Sequence, residues 1–448
     1  MIFGNLIRTL YSWLMVCLQP LVRRKLQRRA QTEPGYGVAV EERFGVYTQA
    51  PSLSSLPPLP SSPVPGAAPL APLVWVHAVS LGETRASAAL VAELRLALPG
   101  MRLLLTHGTA TGRAQGLSLL TEGDLQVWQP WDTPQAVRRF LTHFRPAVGL
   151  LVDTEVWPTM VAKCRSAGVP LCLVNARLNE KSLRQAQHVA WLARPAYAAL
   201  AAVWAQSDAD AQRLRALGAK VQGVLGNFKF DAKPDAAQVA LGQRWRNAVG
   251  RPVITFAVSR EGEEALLLAQ LHSLRALRDA EPDAFSRCQW MIVPRHPQRF
   301  DEVEKLCRDR GFSVSRRSQW GEAPASADLW LGDTLGEMAL YYGLSDVALL
   351  GGSFEPLGGQ NLIEALACGC PVVMGLHTFN FTEAAALAAA AGAAFQVNGI
   401  EGAVTQAMQL ALVPQKRQTA SVAGLQLAAA HQGAAQRTAL AVRALLTP

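Results

Sequence analysis

The seven cysteines of this 448-residue chain form no pattern. Cys17, Cys164, Cys172, Cys288, Cys307, Cys368 and Cys370 contain no CxxC pair and no Cys/His cluster at metal-ligand spacing. That excludes a disulfide framework and a structural zinc, and leaves reduced, mostly buried thiols as the expectation. A long apolar run is also missing near the start. The longest uncharged stretch of the first 30 residues, Thr9 to Val22, has 14 residues and contains Pro20, whereas a membrane-spanning helix needs about 20. Acids are absent from those 30 residues, so Arg8, Arg23, Arg24, Lys25, Arg28 and Arg29 carry six of the nine net positive charges. The rest of the chain is nearly balanced and has no aromatic residues interleaved with basic ones, which argues against a nucleic-acid surface. No Lys-Ser/Thr pair follows the glycines at 351–359 and no GxGxxG spacing occurs there, so neither a P-loop nor a dinucleotide fingerprint is present.

What the N-terminus does have is an apolar stretch followed by bases. A helical reading places Phe3, Leu6, Leu10, Trp13, Leu14 and Cys17 on one side and Asn5, Arg8, Ser12 and Gln19 on the other. With the RRKLQRR cluster behind it, this predicts a helix lying in the surface of an anionic leaflet. A cleaved signal peptide is the poorer reading, because no small-residue cleavage site precedes the arginines. If the segment inserted, the basic cluster would keep the following domain on the cytoplasmic side.

Residues 51–72 are rich in Pro, Ser and Ala without a period, as a tether or surface excursion would be. Short apolar runs separated by helical stretches then follow: LVWVHAV, RLLLT, VGLLV, PLCLV and AVWA. After a break near Asp231–Asp235 the rhythm resumes with PVITFAV, QWMIV, DLWLG, DVALL and PVVMG. Two doubly wound α/β halves with parallel sheets are the simplest account, and ligands in such sheets bind at loops leaving the carboxyl ends of strands.

Those loops carry the chemistry. Glu83 follows WVHAVSLG and opens a helix, where an acid also simply suits the helix dipole. HGTATG (His107 to Gly112) is a small-residue turn that lets a polar ligand approach the backbone. Asp153, Thr154 and Glu155 follow a buried strand, with a capping role for Asp153 or Thr154 as the rival. Pro294, Arg295 and His296 end another strand, and Arg295 offers forked donors to a phosphate, or pairs with a surface acid. Gly336 and Glu337 open a helix whose N–H groups suit an anion. Gly351, Gly352, Gly358 and Gly359 allow a tight turn before a helix at Asn361 to Cys368, with Glu364 one turn in to accept from a ribose diol. This reads as a sugar-nucleotide seat. The Asp208/Asp210 pair mimics a metal-binding carboxylate pair but reads as a helix start at Ser207.

The stretches EPGYGVAVEERFG, WVHAVSLGE, PWDTPQAVRRFLTHFRP, DTEVWP, LVNARLNEKS, GNFKFD, PRHPQRF, GDTLGE, GGSFEPLGGQNLIEA and GLHTFNF occur in this order. In them the chain resembles the Kdo (3-deoxy-D-manno-octulosonic acid) transferases of lipopolysaccharide synthesis. The resemblance implies a GT-B fold: two Rossmann-like doubly wound domains facing a cleft, with an N-terminal membrane-associated helix. It implies a segmentation into 1–30 (membrane-associated), 31–72 (connector), 73–232 (acceptor domain), 233–415 (donor domain) and 416–448 (a C-terminal helix crossing back to the first domain). It further implies a CMP-Kdo donor, a lipid A precursor (lipid IVA) as acceptor, inverting transfer without metal or cofactor, and a place on the cytoplasmic face of the inner membrane.

By the same resemblance the general base falls on Glu83 and transition-state stabilisation on Glu155 and Lys229. Nucleotide contacts fall on Pro294 and Arg295, on Leu335, Gly336 and Glu337, and on Asn361, Leu362, Ile363 and Glu364. The chain departs from the family pattern at Gln360, Leu362 and Leu376, where the family has His, Pro and Pro, and at Arg260, where a His is common; these touch the shape of the donor pocket. Two rivals stand beside this reading: another GT-B nucleotide-sugar enzyme, and a membrane-tethered nucleotide-binding module without catalysis.

Overall fold

A computed structural model describes residues 2–48, 72–231, 233–276 and 285–447, without the side chains of residues 2–6. Nearly all of the Pro-rich stretch, residues 51–71, and the side chains of Phe3, Asn5 and Leu6 therefore lie outside the described residues. The chain divides into two compact units, Met1–Asp231 with Gly433–Pro448, and Ala232–Gln432.

The first unit is built on β1 (Leu73–His77), β2 (Arg102–His107), β3 (Leu125–Trp128), β4 (Val148–Val152), β5 (Leu171–Ala176), β6 (Ala202–Ala205) and β7 (Val221–Val224). Their order is β3-β2-β1-β4-β5-β6-β7, with parallel pairings throughout. Side chains alternate across the sheet. Trp75 packs on one face with Phe140 and Phe144, while Val74 and Val76 pack on the other with Leu90 and Leu94. Both faces are covered, so β1, β4 and β5 are buried along their whole length and read in sequence as continuous apolar runs.

The C-terminal stretch breaks into two helices. Pro414–His431 belongs to the second unit, and Ala434–Leu446 packs Ala435, Ala439 and Val442 against Leu90, Leu94 and Phe228 of the first. Small side chains bury little area, at about 0.8 kcal/mol per methylene, so polar anchoring matters here. Asp231 supplies it: its carboxylate accepts from the backbone N–H groups of Gly433 and, at 2.6 Å, Ala435.

The second unit holds β8 (Val253–Ser259), β9 (Gln289–Pro294), β10 (Val314–Arg316), β11 (Leu329–Leu331), β12 (Val347–Leu350), β13 (Val372–Met374) and β14 (Ala394–Gln396). The order is β10-β11-β9-β8-β12-β13-β14, again parallel. Strand order reverses between β1 and β4 in one sheet and between β8 and β12 in the other. Such switch points open a crevice beyond the strand ends.

At the N-terminus, helices Ile2–Cys17 and Gln19–Thr32 lie against the first unit. Ser12 and Met15 are the buried side, with Ser12 Oγ 3.3 Å from Thr159 Oγ1 and Trp131 Nε1 donating to the Met15 carbonyl at 3.1 Å. Leu10, Trp13 and Leu14 are exposed. Among the described residues no helix is long and apolar enough to cross a membrane.

Candidate active site

At the first switch point, the first turn of the helix after β1 carries Glu83 and the loop after β4 carries Asp153 and Glu155. Ser80 caps the helix Leu81–Ala97 in a reciprocal box: Glu83 N–H donates to Ser80 Oγ, and Glu83 Oε2 accepts from Val79 N–H at 2.6 Å and Ser80 N–H at 3.4 Å. The helix-start role and an open acceptor coexist, because both described bonds end on Oε2 and leave Oε1 without one. Burial, then repulsion from Asp153 and from Glu155, push the Glu83 carboxyl up to about 7, against the two backbone N–H groups. A carboxylate there is poised to take a proton at neutral pH.

Glu155 is also raised, by burial, although Trp157 Nε1 donates to it at 2.7 Å. Lys229 sits between the buried Phe228 and Phe230 on a single helical turn, Phe228–Asp231. Burial lowers its ammonium, while Asp153 and Glu83 act to keep it charged and Arg177 opposes them. Glu83, Asp153, Lys229 and Arg177 thus form one mutually interacting group.

In the second unit, the buried Glu263 organises the loop after β12. Its carboxylate accepts from the N–H groups of Arg260 (2.9 Å), Gly352 (2.7 Å) and Phe354 (3.2 Å). Gly351 has no room for a side chain, since a Cβ would collide with the Val258 carbonyl. Val258 itself has φ 58°, a strained setting for a β-branched residue, and it lies at the end of β8. Burial, then repulsion from Arg260, Arg295 and Arg299, lowers the His296 imidazole. Arg299 is neutralised by Glu264 at 2.7 Å and Glu302 at 3.1 Å. Glu337 is held by Arg317 at 2.8 Å and by Thr334. Asn361 caps the short helix Leu362–Ala367 by accepting from Ile363 N–H at 3.2 Å, and its amide donates to Glu364 at 3.0 Å.

Residues 39–232 match the family model described as 3-Deoxy-D-manno-octulosonic-acid transferase (kdotransferase). A 3-deoxy-D-manno-octulosonic acid transferase of Bordetella pertussis is 45% identical over 439 residues, covering 96% of this chain and 97% of that protein. The chain belongs to the Kdo transferase family. A second member, from Haemophilus influenzae, is 28% identical over 96% of both chains. The solved UDP-GlcNAc 2-epimerase of Neisseria meningitidis, 16% identical, superposes over 84% of this chain and 100% of its own with a TM-score of 0.55; that likeness concerns the fold. The chain is thus a glycosyltransferase with two Rossmann-like units, the GT-B arrangement.

Within the first unit of this Kdo transferase, Glu83, Glu155 and Lys229 come from three separate strand-end segments around one electrostatic group. In the second unit, Pro294 is buried, Leu362 and Ile363 are almost wholly so, and the Ile363 N–H is taken by Asn361 Oδ1, so these residues support the loop ends around them rather than presenting side chains. Leu335 is 73% exposed, and Gly336 holds φ 80°. Neither Asp153 nor Thr154 caps the next helix; Asp132 does, accepting from Thr159 and Met160 N–H at 3.0 and 2.7 Å. The HGTATG turn is a buttress: His107 Nδ1 lies 2.9 Å from the Ala78 carbonyl, and Thr109 caps the helix Ala110–Gly116. Asp210 is occupied by Leu178 N–H, Ser207 and Arg213, so the 208–210 pair does not present two open carboxylates. Sequence reading passed over Asn175, Gln206 and Asn227, which follow or end apolar runs and carry the side-chain amides of a buried network described below.

Proposed function

We propose that this transferase moves Kdo from CMP-Kdo to a lipid A precursor, lipid IVA, by inverting transfer without a metal, at the cytoplasmic face of the inner membrane. Its relatives are named as Kdo transferases, and the observation that carries the mechanism is the Glu83 carboxyl, poised near neutrality with one oxygen open.

Glu83 takes the proton of an acceptor sugar hydroxyl as that oxygen bonds to the anomeric carbon of Kdo. The bond from that carbon to the CMP phosphate oxygen breaks, and CMP leaves with the electron pair. Lys229 is suited to growing negative charge, and Glu155 to orienting the acceptor or offsetting cationic character at the anomeric carbon. On the donor side, Arg295 with Arg260 supplies positive charge for the phosphate. The backbone of Pro294, Leu335, Gly336, Asn361, Leu362 and Ile363 shapes the nucleotide seat, Glu364 accepts from the ribose, and Glu337 braces the turn through Arg317. The membrane part of the reading is supported by exposed Leu10, Trp13 and Leu14 beside exposed Arg24, Lys25 and Arg28.

Mass spectrometry of the product from CMP-Kdo and lipid IVA tests the reading. A mass increase of whole Kdo residues, retained in EDTA, is expected. Unchanged lipid IVA overturns the substrate assignment, and loss of product in EDTA overturns the metal-free step.

A further inference from the structure

We propose that Asp153 is a positioning residue: from the end of β4 its carboxylate holds Asn175 and Gln206, and through them the 226–231 segment that carries Lys229. The inference rests on the reading of Glu83 as the base.

Asp153 Oδ1 accepts two bonds, from Asn175 Nδ2 at 2.7 Å and Gln206 Nε2 at 3.1 Å. Each amide passes the restraint on with its other end. Asn175 Oδ1 accepts from Phe228 N–H at 3.0 Å, and Gln206 Oε1 accepts from Asn227 Nδ2 at 3.0 Å. Asn227 Oδ1 then accepts from the N–H of Lys229 itself at 3.0 Å. The side chain of Asp153 is 13% exposed, and Asn175 and Gln206 are 2% and 7% exposed. Buried polar groups linked this fully fix one geometry.

The backbone shows the same purpose. Asp153 and Asn175 hold φ 68° and 50°, left-handed conformations that cost about 1–2 kcal/mol and that Asp and Asn tolerate best. The register between β5 and β6 shifts where Asn175 turns over. Strain at two neighbouring strand ends persists only where the surroundings over-determine it.

The position also has an electrostatic consequence. Facing Glu83 and Asp153 are Glu155 from the same loop as Asp153, Lys229 from the 226–231 segment, Asp210 from the helix Asp208–Ala216, which repels Asp153, and, 3.7 Å from Asp153, Arg177 from the loop after β5. His107, behind the helix bearing Glu83, is held neutral by burial that lowers it to about 4. Burial raises the Asp153 carboxyl, while Arg177, Lys229 and the Asn175 amide oppose that rise; in its ionised form it makes Glu83 a stronger base and counters the burial that lowers Lys229.

The test compares kcat and pH profiles of Asp153→Asn, Asn227→Ala and Glu83→Gln with the unmodified enzyme. Asn keeps an oxygen for both amides but removes the charge. The expected result is a kcat lower by roughly tenfold or more, an unchanged KM for CMP-Kdo, and an acidic limb moved to lower pH because Glu83 loses a repelling neighbour. Asn227→Ala, on the half-buried loop, breaks the clamp alone; it should lower kcat without moving that limb, and it reads out the clamp even where Asp153→Asn does not fold. An acidic limb that stays in place in folded Asp153→Asn overturns the electrostatic part, and an unchanged kcat in Asn227→Ala overturns the clamp. Turnover surviving in Glu83→Gln removes the base reading instead, whatever the other two variants do.

Discussion

Asp231 Oδ2 accepts from the backbone N–H of Ala435 at 2.6 Å, across 204 positions of sequence. The chain leaves the first unit immediately after Asp231 and re-enters it at Gly433, so one carboxylate ties both crossing points together. The same residue ends the turn that carries Lys229.

Replacing Asp231 by Ala removes a helix cap contributed from outside the helix. Loss of such a cap costs about 0.5–2 kcal/mol, and the small side chains of Ala434–Leu446 bury too little to hide it. Differential scanning calorimetry should show a transition a few degrees lower. Amide exchange should rise in 434–446, and turnover should fall through Lys229; unchanged protection of that helix would count against the anchoring role.

The raised carboxyl of Glu83 costs the folded protein stability. Its carboxyl titrates near 7 when folded and near about 4.3 when unfolded. The raised value means that the unfolded state ionises first, so the native state loses stability as pH rises through that window. Glu83→Gln should therefore match the unmodified protein in stability near pH 4 and exceed it increasingly from pH 5 to 7, levelling off above. Its kcat should drop by roughly a hundredfold or more with CMP affinity unchanged. Melting curves across pH that run parallel for both proteins would mean that Glu83 is not raised.

The donor side allows a separate test. Glu263 satisfies three backbone N–H groups of two loops with two oxygens, and burial raises its carboxyl against them. In Glu263→Gln one oxygen becomes an NH2 that faces a backbone donor, and an unmet buried donor costs about 1–3 kcal/mol. The loop from Gly351 onward should loosen, with CMP binding by titration calorimetry weakened about tenfold. Wild-type affinity in a folded variant would show that this loop does not shape the nucleotide seat.

The ten strands foreseen from apolar runs are all present, and the four passed over, β3, β7, β10 and β14, are the four sheet edges. Edge strands need no continuous apolar run: LQVW, VQGV, VSR and AFQ are short and mixed. Glu83, Glu155 and Lys229 stand out as candidates in the sequence because they lie in family motifs at strand ends. Asn175 and Gln206 do not, since an amide after a buried strand has no local signature. Their role depends on left-handed turns and a register shift that only the assembled sheet reveals.

The helix Ile2–Cys17 and the basic helix Gln19–Thr32 that follows it divide their surfaces between protein and solvent. The buried side of the first helix is spent on the protein, through Ser12 with Thr159 and the Met15 carbonyl with Trp131. Trp13 at 65%, Leu10 at 63% and Leu14 at 55% exposure face outward. Not all of the basic cluster is available, because Arg23 pairs with Glu41 and Arg29 lies over the Tyr36 ring. Arg24, Lys25 and Arg28 are exposed. Each basic residue near an anionic surface contributes about 1 kcal/mol. Replacing these three by Ser should therefore weaken liposome binding by roughly a hundredfold while sparing the internal pairs that deletion of the segment would destroy. Added salt should erase the difference between the variant and the unmodified protein, since screening acts on the same charges. Replacing Leu10, Trp13 and Leu14 by Ser should abolish the salt-resistant remainder. Co-sedimentation with vesicles containing anionic lipid measures both, and equal binding by all three proteins would refute a membrane role for the two N-terminal helices.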